Sequence, residues 1–297
     1  MNSFNAWNVF YAHFDPIAFE VFGLKVHWYG LCYVIALLGA LFIASFFIKK
    51  YPNRFNISSQ ILESYFLWAE VGVIVGARLG YLAVYSDVGL WHYLIHPLDI
   101  FNPFNAQGQF IGIAGFSYHG GVVGVLAATI AFSILKKQNL LSILDLATFS
   151  IPLAYILGRI GNFLNKELFG RVIPQDSALG FLGVLVDDEL RYPSQLFEAF
   201  FEGIVLFVIM FVVFKKVQKT GALCVTYGIG YALARFFCEF FREADSQMGY
   251  YAFGLSMGQI LSAVMFVAGL GVLVYICLHA ESVPPHAKRR KNEKNNA

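Results

Sequence analysis

The stretch WYGLCYVIALLGALFIASFFI, from Trp28 to Ile48, contains no charged residue. A helix needs about 20 mainly apolar residues to cross the hydrocarbon layer of a bilayer, and this stretch has that length. Its apolar residues are continuous rather than alternating, which favours a helix over a strand of a membrane barrel. The stretch therefore predicts a transmembrane helix.

Further segments along the chain have the same apolar character. They are Ile61–Tyr85, Ala114–Leu135, Ile143–Leu164, Leu196–Phe214, Leu223–Phe241 and Phe253–Leu278. The composition agrees, because 58% of the 297 residues are hydrophobic and only 13% are charged, whereas a soluble domain carries about 25% charged residues. We expect an all-α, polytopic integral membrane protein with about seven transmembrane helices.

The connecting segments divide the basic residues unevenly. Thirteen lie in alternate segments, against five in the opposite set. The richer segments hold Lys49 to Arg54, Lys136-Lys137, Lys215 to Lys219 and Lys288 to Lys294. An excess of Lys and Arg marks the cytoplasmic side, so we expect the N-terminus outside and the C-terminus in the cytoplasm. We also expect no cleavable signal peptide.

The predicted helices make up a single transmembrane domain over residues 1–280. The segment at about 165–195 contains Asp, Glu, Gly and Pro residues and predicts a small lobe on the outer face. Residues 281–297 form a basic cytoplasmic tail of the kind that attracts lipid headgroups.

Three arginines, Arg78, Arg159 and Arg235, lie inside predicted spans, toward their outer ends. A charge inside a bilayer costs several kcal/mol, so it usually faces a protein interior or a wet cavity and has a partner. Arg78 lies in a Gly-rich helix with little polar company, and we expect it to have a structural role. Arg159 and Arg235 are the stronger candidates for function.

The sixth span carries a polar stripe of Tyr227, Tyr231, Arg235, Glu239 and Arg242, spaced by four, four, four and three residues. Residues at these spacings share one helix face. One interpretation is a buried Arg–Glu–Arg ladder that holds this helix to its neighbours. The other is an anion-binding surface, since the forked guanidinium suits phosphate.

The end of the fourth span is dense in polar residues. Arg159 and Asn162 share a face, and Glu167 and Arg171 follow in the outer loop. A purely structural cluster is the alternative to a binding site. In the fifth span the candidate partners of the buried arginines are Gln195, Glu198 and Glu202.

His119 opens the third span and precedes Gly120-Gly121. A lone histidine is often a packing residue, but this one lies at the predicted depth of Arg159 and Arg235. Its near-neutral pKa makes imidazole a plausible proton acceptor.

Together these segments resemble the bacterial phosphatidylglycerol–prolipoprotein diacylglyceryl transferases, in the family's order and over nearly the whole chain. The most specific block is Gly158 to Arg171. The other matching stretches are Trp28 to Leu31, Gly76 to Tyr81, Ser117 to Gly121, Pro193 to Glu198, and Tyr231 with Arg235, Glu239, Arg242 and Asp245.

The resemblance implies an enzyme of the bacterial inner membrane, with its active site toward the periplasm. It would move the diacylglyceryl group of phosphatidylglycerol onto the lipobox cysteine of a preprolipoprotein signal peptide, without cofactor, metal or nucleic acid. His119, Arg159 and Arg235 map onto catalytic positions. The implied substrate-binding positions are Arg159, Tyr29, Asn162, Glu167, Gly170, Tyr231, Glu239 and Arg242.

The sequence departs from the family's usual residues at Tyr118 (usually Phe), Lys166 (often Gly), Tyr192 (often His) and Phe197 (usually Tyr). None of these removes a residue proposed for chemistry. Lys166 adjoins the site residue Glu167, and we expect it to alter how the outer loop moves.

The implied reaction suits two fixed guanidiniums, because negative charge grows on the departing phosphate. The thiol must react as thiolate, and the residues leave open whether His119 or an arginine promotes its ionisation. A lipid or anion transporter would need polar residues through to the cytoplasmic side, but here they crowd the outer half. An intramembrane serine protease would need a GxSG motif, which the sequence lacks. A scaffold would leave the buried charges unexplained.

Overall fold

The computed structural model describes residues 5–86, 88–104, 108–109, 115–174, 176–243 and 249–279. The predicted tail, residues 281–297, lies outside the described residues. The chain divides into two compact units: a large unit drawn from residues 1–55 and 144–297, and a small unit drawn from residues 56–143. The expectation of a single domain stays a prediction.

The fold is mainly helical, and most of each predicted span lies in helix. The helices are α1 (Trp28–Lys50), α2 (Pro52–Phe55), α3 (Ser59–Tyr85), α4 (Gly89–Ile95), α5 (Tyr118–Leu135), α6 (Leu140–Leu164), α7 (Ser194–Glu198), α8 (Leu206–Lys216), α9 (Ala222–Cys238) and α10 (Met257–His279). A π-helical stretch, Ala199–Val205, joins α7 to α8.

Within the described residues, five helical stretches are long and apolar enough to cross a bilayer: α1, α3, α6, the α7–α8 stretch and α10. The remaining two predicted spans correspond to α5 and α9, which are apolar but have 18 and 17 residues. At 1.5 Å per residue these two helices are about 26–27 Å long, slightly less than the hydrocarbon thickness.

Two short hairpins add strands that an all-α class does not include. Strands β1 (Ile17–Val21) and β2 (Leu24–His27) form one antiparallel pair, and β3 (Val184–Val186) and β4 (Glu189–Arg191) form the other. Both lie outside the long helices. Their two-residue turns, Phe22-Gly23 and Asp187-Asp188, have positive φ, as hairpin turns that match the strand twist require.

In the small unit, glycines bring α3 and α5 into backbone contact. Gly76 of α3 faces Gly120 and Gly124 of α5, and a Cβ on Gly76 would lie only 2.5 Å from the Cα of Gly124. Small residues allow such close approach between helices in a membrane.

Arg78 of α3 is bonded to carbonyl groups of its own unit. Its Nε donates to the Ile100 carbonyl at 2.7 Å and its Nη1 to the Gly115 carbonyl at 3.0 Å. These bonds secure the chain segments that follow α3, which supports the structural role predicted for Arg78.

In the large unit, Asp145 near the start of α6 caps the N-terminus of α9. Its carboxylate accepts hydrogen bonds from the backbone N–H groups of Gly221 and Cys224, each at 2.8 Å. Arg54 Nη1 lies 3.7 Å from the same carboxylate, and Arg54 Nη2 donates to the Lys219 carbonyl at 3.4 Å. These residues therefore join α2, α6 and α9 at one end of the unit.

The π-helical stretch lies where the fifth span approaches α6. A Cβ on Gly203 would lie 3.2 Å from the Pro152 carbonyl oxygen of α6. The π turn changes the rotation of the helix between α7 and α8. Glu198 directly precedes this stretch, Glu202 lies within it, and both are buried.

Candidate functional site

Polar side chains from three parts of the large unit converge near the end of α6. Arg159 and Asn162 come from the last turns of α6, Glu198 from the end of α7, and Arg235 from the last turn of α9. Arg242 follows α9 in sequence. The arginine cluster comprises Arg159, Arg235 and Arg242 with their carboxylate partners Glu198, Glu202 and Glu239.

Glu198 is the common partner of all the arginines in this cluster. Its Oε2 lies 2.9 Å from Arg159 Nε, and its Oε1 lies 2.8 Å from Arg235 Nη1 and 3.2 Å from Arg242 Nη1. Three guanidiniums thus converge on one carboxylate. Of the three predicted partners of the buried arginines, Glu198 and Glu202 are confirmed, since Arg235 Nη1 also lies 3.8 Å from Glu202 Oε1. Gln195 instead donates to the Glu167 carbonyl.

Exposure distinguishes the carboxylates from the arginines. The side chains of Glu198 and Glu202 are 0% exposed, whereas those of Arg159, Arg235 and Arg242 are 14–17% exposed. The carboxylates therefore form a buried base, and part of each arginine side chain remains accessible. A guanidinium carries five N–H donors, so one edge can bind a carboxylate while another meets an anionic ligand.

Neighbouring polar groups fix the orientation of the two central arginines. Arg159 Nη1 donates to Asn162 Oδ1 at 3.2 Å, and Asn162 Nδ2 donates to Glu167 Oε1 at 2.7 Å. Arg235 Nη2 lies 2.7 Å from Glu239 Oε2. The predicted pairing of Asn162 with Arg159 and of Glu239 with Arg235 is therefore confirmed.

Tyr155 is a member of the site that sequence reasoning missed. Its hydroxyl accepts a hydrogen bond from Arg159 Nε at 2.7 Å and donates one to Glu202. The ring of Tyr231, a predicted site residue, packs edge-on against that of Tyr155, with the centroids 6.1 Å apart. The available signal was the spacing of four between Tyr155 and Arg159, which places both on one helix face.

Gly170 allows two chain segments to meet beside the cluster. Its N–H donates to the Tyr192 carbonyl at 2.9 Å, and it forms an antiparallel bridge with Arg242. A Cβ at Gly170 would lie 2.8 Å from the Tyr192 carbonyl oxygen and would also clash with the Phe241 carbonyl. Only glycine fits without displacing the backbone that carries Arg242.

The loop after α6 is attached to the start of the fifth span. Gln195 Nε2 donates to the Glu167 carbonyl at 2.5 Å, and Ser194 Oγ donates to the Leu168 carbonyl at 3.0 Å. Arg171 Nε donates to the Arg242 carbonyl at 2.9 Å. These bonds hold the loop, and Glu167 with it, next to the cluster.

Tyr29 lies in the first turn of α1, near the glycine that follows Arg159 on α6. A Cβ on Gly161 would lie 3.4 Å from Tyr29 Cδ2 and 3.1 Å from Cys32 Cβ. Gly161 therefore permits the close approach of α1 to α6 and brings Tyr29 toward the end of the helix that carries Arg159 and Asn162.

His119 lies in the small unit, in the first turn of α5, and its side chain is exposed. Ser117 caps this helix, because its Oγ accepts the Gly120 N–H at 3.2 Å. The arginines belong to the large unit, so the common depth of His119 and the arginines stays a prediction. Asp245, matched by the resemblance, lies outside the described residues.

The departures from the family pattern have local explanations where the structure describes them. Lys166 has a φ of 56°, a backbone conformation that glycine adopts more easily. Its Nζ donates to the Tyr11 carbonyl at 3.0 Å. Tyr192 and Phe197 pack against each other and against Phe241. The side chain of Tyr118 is outside the described part of the chain.

Several long apolar helices, together with a cluster of arginines fixed on a buried carboxylate, are features of a multi-pass membrane protein. A family profile described as prolipoprotein diacylglyceryl transferase matches residues 16–275. The chain belongs to this family, as the resemblance predicts.

Several relatives extend the match over almost the full length. The phosphatidylglycerol–prolipoprotein diacylglyceryl transferase of Helicobacter hepaticus is 53% identical over 278 residues, which cover 93% of this chain and 94% of the relative. The enzymes of that name from Helicobacter pylori strain J99 and Campylobacter hominis are 51% and 53% identical. These matches cover 94% and 93% of this chain, and 99% and 96% of the relatives.

Proposed function

We propose that this protein transfers the diacylglyceryl group of phosphatidylglycerol to the lipobox cysteine thiol of a preprolipoprotein. The products are a thioether-linked lipoprotein precursor and glycerol phosphate. Family membership supports the reaction class. The observation that supports the site is the convergence of three partly exposed arginine side chains on the fully buried Glu198.

The arginine cluster suits a leaving phosphate. Sulfur forms a bond to the glycerol carbon while the bond from that carbon to the phosphate oxygen breaks, and negative charge grows on the departing group. Arg159 and Arg235, held by Glu198, Asn162 and Glu239, would stabilise this charge without first having to reorient. Arg242, also bonded to Glu198, would be a third donor at the edge of the site.

The thiol proton must leave before or during attack, because thiolate is the nucleophile. His119 would accept this proton, or a guanidinium near the sulfur would stabilise the thiolate directly. Tyr29, Glu167, Gly170 and Tyr231 would complete the substrate-binding surface.

We propose seven spans, with α5 and α9 added to the five long helical stretches. The N-terminus would be outside and the C-terminal tail, residues 281–297, in the cytoplasm, as the distribution of basic residues predicts. The arginine cluster and the lobe at about 165–195 would then face the periplasm, in a bacterial inner membrane. Phosphatidylglycerol would enter laterally from the bilayer.

The function is tested with purified full-length protein, phosphatidylglycerol vesicles and a peptide that contains a lipobox cysteine. The expected product is the thioether-linked diacylglyceryl peptide, detected by mass spectrometry. Absence of this product from a folded sample would refute the proposed function.

The phosphate role of the arginines is tested with Arg159→Lys and Arg235→Lys. Each keeps the charge but removes the forked donor geometry, and we expect the rate to fall by about 100-fold or more. The matched control is Lys49→Arg at the opposite end of α1, which should retain the normal rate. Normal transfer by both site variants would refute the phosphate-binding role.

A further inference from the structure

A cavity of about 980 Å³ lies in the large unit beside the arginine cluster. The N-terminal segment at Tyr11, the loop Lys166–Phe169, the hairpin turn Asp187-Asp188 and the pair Arg242-Glu243 line it. This volume is in the range of sites that enclose a ligand. None of the roles proposed above uses the hairpin or the N-terminal segment.

The cavity meets the arginine cluster at Arg242 and is linked to it through Glu167. Arg242 lines the cavity and is bonded to Glu198. Glu167 also lines it and accepts the hydrogen bond from Asn162, which in turn orients Arg159. An occupant of the cavity would therefore end next to the groups proposed to bind the phosphate.

The charges around the cavity are of both signs. The cations are Lys166, Arg191 and Arg242, and the carboxylates are Glu167, Asp187, Asp188 and Glu243. A phosphate group would face these carboxylates, which disfavours it. A neutral chain with regularly spaced N–H and C=O groups can satisfy both donors and acceptors. Apolar side chains between them, including Val9, Phe169 and Val186, give room for small side chains.

The walls of the cavity are held in place by bonds between segments distant in sequence. The Leu185 N–H donates to the Asn8 carbonyl at 2.7 Å. Lys166 Nζ donates to the Tyr11 carbonyl, and Arg191 forms an ion pair with Glu243. A preformed cavity reduces the ordering cost of binding a flexible ligand.

We propose that this cavity binds the polypeptide segment that flanks the acceptor cysteine, as an extended chain. The proposal rests on the proposed function, because it assigns the protein substrate of the same site. The phospholipid and the polypeptide then approach the arginine cluster from different sides, one from the bilayer and one through the lobe.

The first test reduces the cavity with Val186→Trp in the full-length protein. Transfer is measured while either phosphatidylglycerol or a synthetic peptide is varied; the peptide has an apolar segment, one cysteine and a short uncharged segment. We expect the KM for the peptide to rise by about tenfold, with the KM for phosphatidylglycerol unchanged. The control is Phe181→Trp, an exposed position on the same lobe that does not line the cavity.

The second test removes charge without changing the turn. Asn tolerates the positive φ of Asp187 and Asp188, so the double variant D187N/D188N keeps the hairpin. We expect the KM for the peptide to rise by about threefold, and the control Asp176→Asn to leave it unchanged. If Val186→Trp does not fold, D187N/D188N still tests whether the cavity binds the peptide.

Two results would overturn the proposal. One is an unchanged KM for the peptide in both Val186→Trp and D187N/D188N, when both variants fold. The other is a rise in the KM for phosphatidylglycerol alone, which would assign the cavity to the lipid.

A direct binding measurement separates this proposal from the reaction itself. A fluorescent peptide with serine in place of cysteine should bind the unaltered protein about tenfold more tightly than Val186→Trp. If the unaltered protein binds the serine peptide about tenfold more tightly than Val186→Trp does but forms no thioether with the cysteine peptide, the proposed function fails and the cavity assignment stands. If it forms thioether with the cysteine peptide but Val186→Trp binds the serine peptide equally well, only the cavity assignment fails.

Discussion

Two buried ion pairs lie at opposite ends of α6. At one end Asp145 of α6 pairs with Arg54, and at the other end Arg159 of α6 pairs with Glu198. Asp145 and Arg159 are 14 residues apart, or about 21 Å along the axis. At the first end Arg54 is 0% exposed and Asp145 is 1% exposed, so cation and anion are both enclosed. At the second end Glu198 is enclosed while its arginines keep 14–17% of their side-chain surface accessible.

The difference shows how a structural ion pair can be distinguished from a binding site. Both arrangements stabilise a buried arginine with a carboxylate, and both join several segments. Asp145 also binds two backbone N–H groups and thereby completes the end of α9. Glu198 instead binds three guanidiniums, and their side chains keep some accessible surface, as a site for an anion would need.

Glu198→Gln should have the largest effect on activity. Glutamine keeps the volume of the side chain but removes the charge that three guanidiniums share, so they repel one another and lose their fixed orientation. We expect the transfer rate to fall by about 100- to 1000-fold, measured as thioether product per folded protein. The matched carboxylate-to-amide control is Asp145→Asn, which should retain the rate. A Glu198→Gln protein with more than half the normal rate would contradict this account.

Asp145→Ala should affect stability rather than chemistry. It leaves Arg54 without its buried counter-charge and removes the cap of α9, which should cost about 3–5 kcal/mol of unfolding free energy. Thermal unfolding in detergent measures this loss. Below the transition we expect the rate per folded molecule to stay within about twofold of normal. If folded Asp145→Ala were as inactive as Glu198→Gln, the two ends of α6 would not differ in function.

Much of this arrangement could be predicted because it depends on local spacing. Uninterrupted apolar runs located the helices, and spacings of three and four residues identified the pairs Arg159–Asn162 and Arg235–Glu239. The fifth-span carboxylates were identified as arginine partners from their common face.

What could not be predicted depends on contacts between distant segments. Glu198 directly precedes the π-helical stretch in which Gly203 approaches α6, and neither feature has a clear sequence signal. Arg54 was counted only among the basic residues that orient the chain, so its pairing with Asp145 was missed. The hairpins were missed because their strands are only three to five residues long.

Tyr155→Phe should have an intermediate effect. It removes the hydroxyl that accepts from Arg159 Nε and donates to Glu202, while Glu198 still holds the guanidinium. Loss of one hydrogen bond to a charged group corresponds to about tenfold in rate, which we expect mainly in kcat. The control is Tyr275→Phe on α10, which packs on His279 far along the chain. Equal rates for the two variants would exclude a positioning role for Tyr155.

Glycerol phosphate should have the smallest effect, and it tests accessibility directly. As the proposed product it should bind the exposed edges of Arg159 and Arg235. At ten times its dissociation constant it should stabilise the protein by about 1.4 kcal/mol, seen as a rise in Tm. Asp145→Ala should show the same rise from a lower starting Tm, because its arginine cluster is intact. Arg159→Gln should show a smaller one. Uncharged glycerol controls for a general solvent effect. An equal rise in Tm for the unaltered protein, Asp145→Ala and Arg159→Gln would mean that these arginines do not bind the phosphate.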